Sequence, residues 1–534
     1  MFRQLFMNTG ALSCLIVRRD RIRIPLWLLS LTAITILVAQ TFTEMYSTAE
    51  ERQAMAETML NPAMTAMVGP AYGIDNYTIG AMFAHEMLLF TAITFGLMSI
   101  LLVVRHTRAD EEDGRIEMIR SLPTGRLSTL TATITVVSGV NILLANVIGF
   151  SLYALGIESM GLEGSLLYGA ALGTTGILFT AVTAIFVQLS ENSRAAIGFA
   201  FATLGIAYII RAIGDIGDHV LSWFSPLGWI LGTEVYVNNY WWPIMLAIGV
   251  SILLTIVALY LNAFRDLGAG FIVAKPGKEY ASPLLQSPFG LYFRLQRTGL
   301  IAWSIGMFIL GVSYGSVLGD LELFFADNEL LGVLLSSVDG YSLTEQFLPM
   351  LMSIMAMIGT IPAIMAMNKL IGEEKKNRTE QLLSLAVSRR QMIGSSLAIS
   401  VLVSFVMITF AIIGLWSAGS VVMEEEISFG TFYNAGIVYF PAMLVMISLA
   451  IFLIGVFPKF TSFSWGYLVY SFIVVYLGNL LGVPNWMNNI SPFGHIPQIP
   501  VEDMDYMKIS SIVLVAVVLT VIGFIGYRQR DIAG

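Results

Sequence analysis

The sequence predicts an all-α polytopic membrane protein with twelve transmembrane helices, arranged as two parallel six-helix repeats in an N-in/C-in topology. Three observations lead to this fold class: the composition, the length of the apolar runs and an internal repeat. Of the 534 residues, 56% are hydrophobic and 12% are Asp, Glu, Lys or Arg. Because a soluble domain carries about 25% charged residues, this composition places the chain among membrane proteins.

The apolar residues fall in runs that are long enough to cross a bilayer. A helix needs about 20 apolar residues to span a hydrocarbon core roughly 30 Å thick. Twelve such runs occur, at 24–43, 80–104, 129–155, 165–188, 195–213, 242–263, 299–319, 346–368, 393–420, 434–457, 462–482 and 509–527.

The distribution of basic residues predicts the orientation, because Lys and Arg are enriched in cytoplasmic loops. If the N-terminus is cytoplasmic and the spans alternate, all but three of the 28 Lys and Arg residues lie in cytoplasmic segments. The three exceptions are Arg52, Arg211 and Lys508. We therefore expect both chain termini to be cytoplasmic.

Short segments recur in the same order in both halves of the chain. The loop EEDGRIEMIRSLPTGR (111–126) resembles EEKKNRTEQLLSLAVSRR (373–390), with one residue inserted in the second copy. SPLGW likewise pairs with SPFGH, and FRDLGAG pairs with QRDIAG, at nearly the same offset. A constant offset across separate anchors indicates a duplicated unit.

The repeat predicts two units, 1–270 and 291–534, joined by a cytoplasmic linker at 271–290 that contains Pro and Gly. Each unit holds six spans, so both units begin on the cytoplasmic side. The repeats are therefore parallel, related by an axis along the membrane normal.

Two predicted cytoplasmic loops, 105–128 and 369–392, hold the main candidate site. Each loop begins with paired glutamates, Glu111-Glu112 and Glu373-Glu374, and a third acid follows. In the first loop, Ile116, Ile119 and Leu122 share one face of a short helix. An acidic, amphipathic helix is suited to docking in a groove of another protein. The alternative is a solvated basic loop that only fixes the topology.

A second candidate site is a substrate pathway along spans 2 and 8. Span 8 is rich in methionine, whose flexible side chain suits varied hydrophobic ligands, although methionine is also ordinary core filler. Ionisable residues at the start of span 2 are functional candidates because charge is unfavourable inside a membrane, although these positions are near enough to the surface to be wetted. The pathway residues are Met87, Met98, Met352, Met355, Met357, His85 and Glu86.

Two outer segments, 211–243 and 483–508, are rich in Trp, Pro and Gly. Irregular backbone at membrane depth is tolerated only where protein or water satisfies it. We interpret each segment as a partly re-entrant hairpin before the last span of its unit, with a plain interfacial loop as the alternative.

Catalytic and nucleotide-binding motifs are not found in the sequence. No G-x-x-x-x-G-K-[ST] phosphate loop, HExxH or paired CxxC motif occurs, and these patterns carry nucleotide, zinc and redox chemistry. With four His residues and one Cys, no metal or cofactor site is expected. We predict that the chain is not an enzyme by itself.

Before span 1, apolar residues recur at helical spacing, which is typical of a segment lying along the inner membrane surface, with a simple extension of span 1 as the alternative; they are Phe2, Leu5, Phe6, Leu12, Leu15 and Ile16. This N-terminal amphipathic segment, the glutamate-rich loop and the re-entrant segment before span 6 resemble type-2 ABC exporter permeases, which have the type V exporter fold. RDLGAG-x₄-AKPG (265–277) and SPFGLYFRLQR (287–297) between the halves are similar to the fused-halves permeases of the polyketide-antibiotic exporter, or tetronasin-resistance, type. The resemblance covers essentially the whole chain.

The resemblance implies a bacterial cytoplasmic-membrane permease that exports hydrophobic or amphipathic compounds. It implies two copies of an ABC ATPase as partners, which bind the ATP and Mg, and no nucleic acid. Each glutamate loop would be a coupling helix seated on an ATPase. The positions that match the coupling motif are Glu111, Glu112, Gly114, Arg115 and Glu117 in the first copy, and Glu373, Glu374, Arg378 and Glu380 in the second.

The second copy departs from this motif, because Lys376-Asn377 stands where the first has Gly114. The two coupling helices are therefore expected to be unequal. Two other functions stay open: a proton-driven secondary multidrug transporter, which needs buried acids such as Glu86, and a membrane scaffold or receptor without transport.

Overall fold

The computed structural model describes residues 2–217, 219–272, 279–316, 318–320, 342–375, 377–423, 427–476 and 484–531. Throughout these residues the regular structure is helical, with no strand. Eleven helical segments among the described residues are long and apolar enough to cross a membrane, and one of them, Phe429–Val456, consists of two consecutive helices. The prediction of a helical multi-pass membrane protein is thus confirmed, and the chain divides into two compact units, Met1–Pro276 and Gly277–Gly534.

The first unit has fourteen α-helices among its described residues and a 3₁₀ turn at Ile74–Asn76. The helices are α1 (Phe2–Leu5), α2 (Thr9–Arg19), α3 (Arg23–Met45), α4 (Ala49–Met59), α5 (Pro62–Val68), α6 (Ile79–Arg105), α7 (Arg108–Glu112), α8 (Arg115–Arg120), α9 (Ser128–Ala154), α10 (Leu162–Leu189), α11 (Ser193–Ile216), α12 (His219–Ser222), α13 (Pro226–Leu231) and α14 (Trp242–Phe264).

Helix α10 is the centre of the first unit, because it packs against α6, α9, α11 and α14. Small residues let its backbone approach α9 closely. A Cβ on Gly169 would lie 2.1 Å from the carbonyl oxygen of Ala145, and one on Gly176 would lie 1.8 Å from Asn141 Oδ1. Because lipid tails are as apolar as Leu, such close packing rather than hydrophobic burial holds spanning helices together.

The second unit has nine α-helices among its described residues, with 3₁₀ turns at Pro283–Gln286, Leu318–Asp320, Pro458–Phe460 and Pro492–His495. The helices are α15 (Pro288–Gly315), α16 (Leu343–Glu374), α17 (Arg378–Leu383), α18 (Arg389–Val422), α19 (Phe429–Ile437), α20 (Phe440–Val456), α21 (Phe463–Tyr476), α22 (Asn485–Asn488) and α23 (Tyr506–Gln529).

Two glycine seams hold the second unit together. Helices α15 and α18 meet at Gly311 and Gly414, where an added Cβ would lie 2.3 Å and 2.2 Å from backbone oxygens of the facing helix. Helices α20 and α23 meet at Gly455 and Gly523 in the same way, with 2.1 Å for a Cβ on Gly455. Both pairs therefore pack backbone against backbone.

Three predicted spans differ from the observed helices. The seventh predicted span, 299–319, is part of a longer helix that starts at Pro288, because Ser287 caps it through the Gly290 amide. The tenth is broken at Val438-Tyr439 into α19 and α20. Of the eleventh, 463–476 is helical, and 477–483 lies outside the described residues, as do 273–278 of the predicted linker and Lys376.

Candidate functional site

The first predicted coupling loop is two short helices joined by a left-handed residue. Helix α6 ends at Arg105, α7 follows, and α8 begins after Gly114, whose φ is 72°. Glycine adopts this conformation without a steric penalty. The turn at Gly114 sets the direction of α8 relative to α7.

Glu111 links this loop to the end of the last helix of its unit. Its carboxylate accepts hydrogen bonds from Arg265 Nη2 at 2.9 Å, Arg108 Nη1 at 2.7 Å and the Gly268 amide at 2.6 Å. Arg126 then donates to the carbonyl of Arg265 at 3.0 Å. We call this set, Glu111, Arg265 and Arg126, the first clamp.

Asp110 links the same loop to the N-terminal helix. Arg19 on α2 donates to both of its carboxylate oxygens, at 2.5 and 2.7 Å, and Arg115 on α8 donates at 2.7 Å. The bond to Asp110 raises the pKa of Arg19, although burial opposes it. Bidentate Arg–carboxylate pairs are geometrically specific, so α2 and α8 have defined positions on the loop.

The second loop repeats this arrangement. Glu374 accepts from Arg530 at 2.7 and 2.6 Å, and Arg389 donates to the Arg530 carbonyl at 2.7 Å. This set is the second clamp. Glu373 pairs with Arg378 at 3.2 Å, as Asp110 pairs with Arg115.

These contacts correct the predicted alignment of the two loops. Glu374 occupies the place of Glu111, and Glu373 the place of Asp110, so the offset is 263 residues with no insertion. The predicted pairing of Glu111-Glu112 with Glu373-Glu374 is wrong by one residue. Glu112 has a separate role, because it accepts hydrogen bonds from the backbone and hydroxyl of Ser193 at the start of α11.

The same offset explains the apparent departure at Gly114. Asn377 has a φ of 56° and precedes α17 as Gly114 precedes α8. Asparagine is one of the few residues other than glycine that adopt this region readily. The two loops therefore share one backbone design, and the sequence difference leaves it intact.

Each loop presents an acidic and apolar face to solvent. Ile116 and Thr379 point inward and are buried. Glu117 and Glu380 are exposed. The exposed apolar side chains beside them are Met118, Leu122 and Leu385. Leu122 lies beyond α8, which ends at Arg120, so it does not share one helical face with Ile116 and Ile119 as predicted.

The predicted pathway residues lie mostly in helix-packing cores. Met98 in the first unit and Met352, Met355 and Met357 in the second are buried. Met87 and Glu86 are half-buried. His85 is buried and joins Tyr77 Oη at 2.8 Å and the Gly69 carbonyl at 3.2 Å. Their part in a substrate pathway stays a prediction.

Several polar residues of the sites were missed from the sequence. Arg265, Arg530, Arg126 and Arg389 complete the clamps. The signal was present, because an Arg-Asp pair follows the last span of both halves, but it was used only to define the repeat.

A further buried pair, Arg211 and Asp215 at 3.1 Å, also was not anticipated. Arg211 donates to the carbonyls of Thr65 and Ala66 near the end of α5 as well. It lies within α11, fully buried, rather than in an exposed outer position.

The two segments rich in Trp, Pro and Gly pack against helices of their own units. Ser225 caps α13 through the Leu227 amide and donates to the Ala207 carbonyl at 2.6 Å, and α13 packs against α6, α10, α11 and α14. Ser491 caps the turn at Pro492–His495 through the Phe493 amide. The shared SP dipeptide is therefore a helix-start signal.

Together, the apolar helices define a multi-pass membrane protein, and each of its two units holds a clamped loop. A family profile described as "Multidrug efflux system permease Rv1217c, C-terminal domain" matches residues 12–265 and 285–528. The multidrug efflux system permease protein Rv1217c of Mycobacterium tuberculosis (strain ATCC 25618 / H37Rv) is 35% identical over 533 residues, covering 99% of this chain and 96% of the relative. The chain belongs to this efflux permease family.

Proposed function

We propose that the chain is the membrane subunit of an ATP-driven ABC exporter, with two copies of a separate ATPase seated on its two loops. The observation that carries this proposal is the duplicated clamp. Each copy fixes a short helix against the end of the last span and leaves Glu117 or Glu380 exposed beside apolar side chains. A loop that only fixed topology would need Lys and Arg but no such repeated geometry.

The proposal includes twelve spans in two parallel repeats, with both termini in the cytoplasm. The bias of Lys and Arg supports this orientation. Both loops then face the cytoplasm, where an ATPase would bind. The ATP and Mg belong to that partner, and this chain serves as a permease and not as an enzyme.

The clamps suggest how force would pass from the ATPase to the spans. Closure of an ATPase dimer would push on α8 and α17. Because Glu111 holds Arg265 and Asp110 holds Arg19, a push on the first loop would move the ends of α14 and α2 with it. The substrate shifts this cycle only by binding its two states unequally.

The proposed substrates are hydrophobic or amphipathic compounds of the antibiotic or drug-like class. The support is the apolar character of both cores and the likeness to a relative named as a multidrug efflux system permease. The closer likeness to polyketide-antibiotic exporters stays a prediction.

The test is charge reversal on the exposed face of both coupling helices. Glu117→Arg together with Glu380→Arg should abolish co-purification of the ATPase and substrate-stimulated ATP hydrolysis in reconstituted vesicles. The matched control, Glu163→Arg with Asp503→Arg, makes the same charge change at exposed positions elsewhere and should leave both intact. Transport by the chain without any ATPase would refute the proposal and favour a secondary transporter.

A further inference from the structure

A polar cavity of about 30 Å³ lies inside the first unit, beside α8 and between the ends of α9, α10 and α14. Its charged and amide lining residues are Glu111, Arg120, Arg126, Gln188, Asn262 and Arg265. Directly beside it is a small apolar cluster, Leu130, Ala184 and Ala258. The cavity therefore lies where the spans end and the loop begins.

The charges around this cavity are unbalanced. Three guanidinium groups line it, and the one carboxylate, Glu111, is already held by Arg265 and Arg108. Within the described residues Arg120 has no carboxylate partner, and Arg126 donates only to a backbone carbonyl. Partial desolvation of the otherwise exposed Arg120 lowers its pKa, and Arg126 and Arg265 add to this effect while Glu111 opposes it.

A buried donor at the cavity also lacks a partner. Arg265 has a side chain only 7% exposed, and its Nε forms no hydrogen bond to the described part of the chain. Arg120 and Arg126 are exposed at the mouth. The site thus offers guanidinium donors at two depths, which is suited to an oxyanion with several acceptor oxygens.

The second unit supplies an internal comparison. At the 263-residue offset, Leu383 stands in place of Arg120. At the 265-residue offset of the RD segments, Tyr527 stands in place of Asn262, and its buried ring lies 4.9 Å from the Arg530 guanidinium. The second unit therefore has one cation fewer and an aromatic ring where the first has the cavity.

We propose that this cavity binds the phosphate group of an anionic lipid headgroup, with Arg120 and Arg126 at the mouth and Arg265 behind them. Basic pockets between spanning helices on the cytoplasmic side recognise such headgroups. Assigning the phosphate to a lipid rests on the membrane orientation given under the proposed function, because that orientation places this end of the spans at the inner leaflet. A soluble phosphate would use the same guanidinium chemistry.

The experiment compares the full chain in nanodiscs of phosphatidylcholine with and without phosphatidylglycerol. Thermal stability and the phosphatidylglycerol retained after detergent extraction are measured. Arg120→Leu should weaken retention about fivefold, since one surface guanidinium contributes roughly 1 kcal/mol to anionic lipid binding. Asn262→Tyr, which fills the cavity without changing the charge, should have a similar effect. Arg194→Leu, an exposed arginine at the start of α11, is the charge-matched control.

The outcomes separate the sources of phosphate. Inorganic phosphate that stabilises the wild type, but not Arg120→Leu, in phosphatidylcholine alone would support the site and assign it a soluble ligand. Equal retention and stability in wild type, Arg120→Leu and Asn262→Tyr would overturn the proposal. Loss of ATPase binding in Arg120→Leu with unchanged lipid retention would also overturn it. The lipid readout needs no ATPase, so it stands apart from the test of the exporter function.

Discussion

Removing the arginine that binds the clamp glutamate, Arg265 in the first unit and Arg530 in the second, should destabilise the two units unequally. In the second clamp, Arg530 is the sole charged partner of Glu374 among the described residues. The Glu374 side chain is 7% exposed. Removing one partner of a buried ion pair costs about 3–5 kcal/mol, because the other charge is left uncompensated. Arg530→Met should therefore lose that amount.

The first clamp has a second line of support. In Arg265→Met, Glu111 keeps Arg108 and the Gly268 amide. The Ala269 carbonyl, which also accepts from Arg265, keeps its bond from Arg108. The loss is then close to one hydrogen bond to a charged group, about 1.5–3 kcal/mol. The difference of about 2 kcal/mol between the variants corresponds to roughly 4–8 °C in melting temperature for a unit of this size.

Tryptophan fluorescence during thermal unfolding in nanodiscs would measure these shifts. Arg528→Met, at an exposed neighbouring position, is the control and should unfold like wild type. The double variant Glu374→Met with Arg530→Met should recover most of the loss, because no buried charge remains unpaired. An equal or larger loss in Arg265→Met than in Arg530→Met would refute the reasoning.

Four further variants test local features by the same thermal assay or by proteolysis. Gly114→Ala should lose about 1–2 kcal/mol from left-handed strain, whereas Asn377→Gly should be nearly neutral; equal losses would contradict a shared backbone design. Gly169→Ala should prevent stable folding, because its Cβ would lie 2.1 Å from the backbone carbonyl oxygen of Ala145; wild-type yield and melting temperature would contradict it. Arg211→Met should release 46–78 to proteolysis, since it loses the bonds to the end of α5; an unchanged cleavage pattern would show that other contacts hold that segment.

The helices could be predicted from the sequence because each membrane span must have a minimum length and be largely apolar. Their ends were less accessible, because a single cap such as Ser287 extends a helix well beyond its apolar run. The break at Val438-Tyr439 has no counterpart in the hydropathy of the tenth predicted span.

The two glutamate loops lie where the sequence placed them, but the glutamate pairs at their start were aligned one residue out of register. Their coupling role stays a prediction. The predicted alignment matched the two identical glutamate pairs. In the structure, Asp110 and Glu373 are equivalent, because each forms an ion pair with the arginine that begins the next short helix. Matching identical residues misaligns the start of the two loops, whereas the contacts with distant arginines show that equivalent residues are 263 positions apart. The clamps were not predicted because their carboxylate and arginine partners are separated by more than 150 residues in the sequence.

The close backbone packing between α9 and α10 should make the two helices tilt together as one rigid body. Arg108 beside the loop donates to the Ser190 carbonyl, directly after α10 ends. With 28 residues, α10 is about 42 Å long, so a tilt of about 5° at the loop end moves its far end by about 4 Å. Because backbone meets backbone at Gly169, no side chain lies between the two helices there to absorb the tilt. A small tilt of α10 imposed at the loop would therefore become a larger displacement of its far end, at the opposite membrane face.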